Sequence, residues 1–153
     1  MKRIYIIVLL LSFCSVSGMA QQKDFFNELA EMKGVSSVYI SKAMFQLMPD
    51  MDMDGLNLTP FIRKLETVRI LSSENAESTV KMKKALRYIH PQNGYEELMR
   101  VTDDGKKMVI YWKQDKRTKN EFVLLSDEGK EYTAIVIVGN LTLEEIQKIT
   151  QQN

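Results

Sequence analysis

Asp50, Asp52 and Asp54 alternate through Asp50-Met51-Asp52-Met53-Asp54-Gly55, which matches the first half of a calcium loop. Carboxylates at that spacing can converge on one hard cation, and the glycine supplies the sharp turn. The second half departs from the pattern. Its twelfth position, where a bidentate acid should clamp the ion, is Phe61, and Pro60 stands before it. Three monodentate carboxylates leave an open calcium site unless Asn57 or a distant acid completes it. The alternative is a solvated acidic loop whose methionines tuck onto the core.

His90 is the only histidine. A general base of this kind needs an orienting carboxylate and a nucleophile within reach, and the sequence supplies neither beside it. Placed before Pro91 at a helix end, it reads as helix punctuation, its imidazolium meeting the negative dipole. Asp103 and Asp104 resemble a catalytic carboxylate pair, but they fall in a hairpin turn whose chemistry accounts for them. Lys116, Arg117 and Lys119 make a basic loop without interleaved aromatics, which is not a nucleic-acid signature. Tyr111 and Trp112 are adjacent in a strand and point to opposite faces. One ring belongs in the core; Tyr111 with Val109 is the pair that a partly exposed face would show, but helix cover over it is the favoured reading, because the flanking helices need a sheet to pack on.

The chain has no G-x-S-x-G or H-E-x-x-H motif and no glycine-rich phosphate loop. These absences favour a non-catalytic binding module over an enzyme. A hydrolase or lyase working through carboxylates or His90 is the runner-up, and a calcium-stabilised module the third reading. No catalytic residue is assigned.

Location follows from the first twenty residues. Lys2 and Arg3 precede an apolar run from Ile4 to Phe13, and Gly18-Met19-Ala20 has small residues for cleavage. That is the layout of a secretory signal peptide over 1–20, too short to remain as a spanning helix. The expectation is a periplasmic or secreted protein of one domain, 21–153, with no transmembrane segment after cleavage. Cleavage before Cys14 would instead give a lipid-anchored protein, although Phe13 is bulky where a lipoprotein signal needs a small residue. Cleavage after Ala20 removes the only cysteine, and with it thiolate ligands, disulfides and cysteine nucleophiles. The charge changes from 21 basic and 20 acidic residues to 19 and 20, a net of −1. Nothing in that balance calls for a polyanion, so no nucleic-acid partner is expected.

The elements behind these residues read as α+β. Asp24 caps a first helix stopped at Gly34, followed by a strand over 35–41 and a short helix over 42–48. A loop runs from Asp50 to Thr59, which caps a proline-led helical turn; a strand over 67–71 follows. Ser73 opens the longest helix, with Met82, Ala85, Leu86 and Ile89 as its apolar stripe. Four strands then form a meander over 95–102, 107–113, 121–126 and 131–139. Asp104-Gly105 and Glu128-Gly129 mark tight hairpins. Ala134 to Val138 is apolar at both parities, which puts the last strand in the middle of the sheet. Thr142-Leu143-Glu144-Glu145 is a capping box, and Leu141 with Ile146 a hydrophobic staple. The expected architecture is a mostly antiparallel sheet with helices on one face.

Several of these segments together carry a resemblance. They are Asp24-Phe25-Phe26, the run Gly34 to Met44, Tyr95 to Val101, Glu121 to Leu125, and Val138-Gly139-Asn140-Leu141-Thr142-Leu143 before the final helix. The chain resembles the family called domain of unknown function 4252, small exported proteins of gut-type Gram-negative bacteria. The resemblance implies an envelope or periplasmic site of action and a link to envelope sensing or stress. It brings no catalytic residue with it. The partner it leaves open is an envelope protein, a peptide or a small ligand.

Overall fold

The computed structural model describes residues 25–48, 52–53, 56–114 and 119–151. Residues 1–20, read above as a signal peptide, the expected cap Asp24, and Asp50, Asp54, Lys116 and Arg117 lie outside them. Helix α1 (Phe25–Ala30) leads through Gly34 to strand β1 (Ser36–Ser41) and helix α2 (Lys42–Leu47). Where a plain loop was expected, two-residue strands β2 (Asp52–Met53) and β3 (Leu56–Asn57) pair with each other. A 3-10 segment, Thr59–Lys64, follows, capped at Leu58 rather than at Thr59. Asn57 explains the shift, because its side-chain oxygen accepts the Thr59 N–H at 3.0 Å in an Asx turn.

Strand β4 (Leu65–Ser73) is longer than the sequence suggested and takes up Ser73, the expected start of the long helix. Ser73 pairs with Tyr132 across the sheet, and its hydroxyl donates to the Gly34 carbonyl at 2.8 Å. The helix, α3 (Ala76–Ala85), is capped instead by Asn75, whose side chain accepts the Ser78 N–H, and runs on into a 3-10 turn, Leu86–Tyr88. Met82, Leu86 and Ile89 are buried as the stripe required.

The four later strands are β5 (Glu96–Asp103), β6 (Lys106–Gln114), β7 (Asn120–Asp127) and β8 (Tyr132–Gly139). The six long strands form one antiparallel sheet in the order β1-β4-β8-β7-β6-β5, so β8 is central as its composition demanded. The β5–β6 turn has Asp104 and Gly105 both at positive φ, the tight hairpin expected. The β7–β8 connection is different. Gly129 alone has positive φ, Glu128 donates its N–H to the Glu131 carbonyl at 2.9 Å, and the loop is a wider four-residue one. Helix α4 (Leu143–Thr150) has both bonds of the Thr142–Glu145 capping box, with Leu141 and Ile146 buried in one cluster.

Helices cover both faces of the sheet, not one. Ile135 and Ile137 of β8 join a cluster with Phe45 of α2, Phe61 and Ile62 of the 3-10 segment, and Ile146 and Ile149 of α4. Ala134 and Val136, of the other parity, join Leu29 of α1 and Met82 and Leu86. Strand side chains alternate between faces, so a strand apolar at every position needs cover on both. Among the described residues, no helix is long and apolar enough to cross a membrane.

Candidate functional site

The residues singled out for chemistry do not meet. Of the calcium candidates, Asp50 and Asp54 lie outside the described residues, and Asp52 is placed only by its backbone, opposite Asn57 in the β2–β3 pair. Asn57 already holds the Thr59 amide, so one possible completing ligand is engaged. Among the described residues, no group of three or more His, Cys, Asp or Glu side chains could hold a metal.

His90 does punctuate the chain, but as the cap of the 3-10 turn after it. Its Nδ1 accepts the Gln92 N–H at 3.2 Å, and its Nε2 lies 3.2 Å from the Asn93 side-chain nitrogen. Nδ1 is thus engaged as an acceptor within two residues of sequence. Asp103 and Asp104 are exposed at the β5–β6 turn. Lys119, from the basic loop, lies 3.7 Å from Glu66, which also accepts from Lys42 at 2.8 Å. The Lys42 ammonium first, and then Lys119, hold the Glu66 carboxyl below the usual carboxylate range. Tyr111 and Trp112 are both partly buried, one against each cluster, as a sheet covered on both faces requires. Trp112 Nε1 is buried with no hydrogen-bond partner among the described residues.

The contrast between the two sheet edges is more informative. Strand β5 is exposed along its length and carries Glu96, Glu97, Arg100 and Asp103. A bulge interrupts its pairing between Glu97 and Met99. Beside the bulge, Leu98 and Met99 line a pocket together with Leu143 and Ile146 of α4. Arg100 pairs with Glu97, which lowers the carboxyl and fixes both charges at the edge. Charge and a bulge are both devices that stop an edge strand from recruiting another chain.

Strand β1 has neither. Its sequence, Ser36-Ser37-Val38-Tyr39-Ile40-Ser41, contains no charge and no proline. It pairs with β4 in unbroken register from Ser36 opposite Ser72 to Ser41 opposite Thr67. Among the described residues, its outer edge bonds to nothing. Val38 and Tyr39 are 50% and 56% exposed on opposite faces. Beneath Tyr39 sits Arg69, buried and directly across the pair, with its guanidinium carbon 5.0 Å from the ring centroid. Sequence reading recognised β1 as a strand and missed it as a site. Its uncharged, β-branched composition was visible, but its place at the sheet's edge was not.

No curated protein and no solved structure matches the chain. A family model described as a domain of unknown function, DUF4252, matches residues 26–149, and the protein belongs to that family.

Proposed function

We propose that this is an exported envelope protein, periplasmic or secreted, that works as a non-catalytic binding module: it takes an extended segment of a partner protein alongside β1. One observation carries the reading. Of the two sheet edges, β5 is guarded by charge and a bulge, while β1 is regular, uncharged and, among the described residues, unpaired on its outer side. A strand added there gains main-chain hydrogen bonds along its length, with Val38 and Tyr39 offering side-chain contacts on alternate faces. The signal-peptide layout of residues 1–20 supports the export half of the reading. A role in envelope sensing suits a module that captures an exposed segment of another envelope protein.

The test is site-specific photocrosslinking in the living cell, with the photoreactive residue placed at Val38, Tyr39 or Val101. A discrete adduct from β1 positions, absent from Val101 on β5 and, for the Tyr39 probe, lost when Val38→Lys is added, supports the proposal. Equal adducts from both edges, or none from β1, sinks it. Cell fractionation of the same strain tests export separately, and retention in the cytoplasm would overturn that half.

A further inference from the structure

We propose that the cleft between α3 and strands β6, β7 and β8 binds a small amphiphilic carboxylate, a site separate from the β1 edge. The cleft has a volume of about 400 Å3 and opens on the sheet face opposite α4. Its floor is apolar: Leu86, Ile89 and Val109 are buried there, and Leu125 continues it. Around that floor stand Lys83, Arg87 and Lys107, and against three cations the lining supplies one carboxylate, Asp127.

Asp127 is shared rather than spare. It accepts from Lys83, faces Lys107 across the β6–β7 pair, and receives the Gly129 N–H at 3.1 Å. The hydrogen bond from Lys83 does most to hold its carboxyl below the usual range. Lys83 also lies over the Tyr132 ring, 5.1 Å from its centroid. Arg87 is exposed and makes no ion pair among the described residues, so its planar fork is open to a carboxylate. On the β5 side the same sheet face carries Glu97 and Arg100, already paired with each other. The cleft therefore has a net positive rim over a buried apolar floor, with Tyr132 as a neutral hydroxyl between them.

That combination selects its occupant by two criteria at once. An apolar floor with a few convergent polar groups is the usual make-up of a small-molecule site. The volume holds roughly a dozen water-sized groups, enough for a headgroup and a short chain but not for a two-chain lipid. A simple anion would leave the floor wet, and a cationic amphiphile would meet like charge.

Decanoate, below its micelle concentration, is the probe, titrated into the isotope-labelled whole chain and read by amide chemical shifts. The expected result is saturable shifts confined to Lys83, Arg87, Lys107 and Tyr132 and their neighbours. The double variant R87Q/K107Q should weaken binding at least tenfold without moving the melting temperature. Val38→Lys should leave it unchanged, which separates this site from the β1 proposal. Acetate and decyltrimethylammonium should each give no saturable response. Non-saturating shifts, equal binding of the cationic amphiphile, or full affinity in the double variant would overturn the proposal.

Discussion

The Arg69 guanidinium lies beneath the Tyr39 ring, 5.0 Å from its centroid, and the two residues face each other across the β1–β4 pair. The cation is buried while the ring that lies over it is more than half exposed. The ring's contribution comes from its π face, not its hydroxyl. Tyr39→Phe should therefore keep native stability, and Tyr39→Ala should lose about 0.5–2 kcal/mol, the range for a cation–π contact over a desolvated charge. Urea denaturation of the three proteins distinguishes these outcomes. Equal stability of Phe and Ala variants would show that the ring does not support Arg69.

Val38 lies on the other face of β1 and is half exposed, so its replacement tests recruitment without touching the core. Val38→Lys should change stability by no more than about 0.5 kcal/mol, as ordinary surface substitutions do. It should abolish the β1 photoadduct, because a lysine on an edge strand is a natural guard against added strands. A surviving adduct in a fully folded Val38→Lys protein would rule out strand addition at this edge.

What the sequence made legible was mostly local. Thr142, Glu145, Leu141 and Ile146 lie within six residues of one another, and the cap they specify formed as read. Asp104-Gly105 closed its hairpin for the same reason. Ser73 and Thr59 show where local reading fails. Each resembles a helix cap, yet an asparagine two residues away intervenes: Asn75 caps α3 in place of Ser73, which is drawn into β4 by pairing with Tyr132, and Asn57 holds the Thr59 amide. That contact spans some sixty residues and leaves no local signal. The apolar run in β8 carried the information that both faces needed cover, since both parities are apolar. The cleft was illegible because Lys83, Lys107, Asp127 and Tyr132 meet only through the strand order.

Gly34 and Ser78 form a tight junction between the α1–β1 connection and α3. Ser78 is buried, and its hydroxyl donates to the Lys33 carbonyl at 2.8 Å. Gly34 has a φ of +80°, and a Cβ added there would collide with Ser78 Oγ. Gly34→Ala should cost at least about 1–3 kcal/mol from backbone strain alone. Ser78→Ala opens space beside that Cβ, so the double variant should be more stable than the two single losses predict. A coupling of about 0.5–3 kcal/mol in a double-mutant cycle is the expected reading. Strict additivity would show that the collision relaxes by backbone movement instead.

Tyr132 gives the fold a stability limit on the alkaline side. Burial first, then the Asp127 charge and Tyr111, push its phenol from 10.0 up to about 12. The unfolded chain therefore releases this proton at lower pH than the folded one. The stabilisation from the buried neutral phenol is whole below pH 10 and falls as the pH rises towards about 12. Denaturant midpoints should hold steady up to about pH 9 and decline between the two values. Tyr132→Phe has no proton to lose, so its stability should decline less over that interval even if it starts lower. Parallel alkaline curves for the two proteins would place the Tyr132 hydroxyl in solvent, and the cleft would then lack its neutral donor.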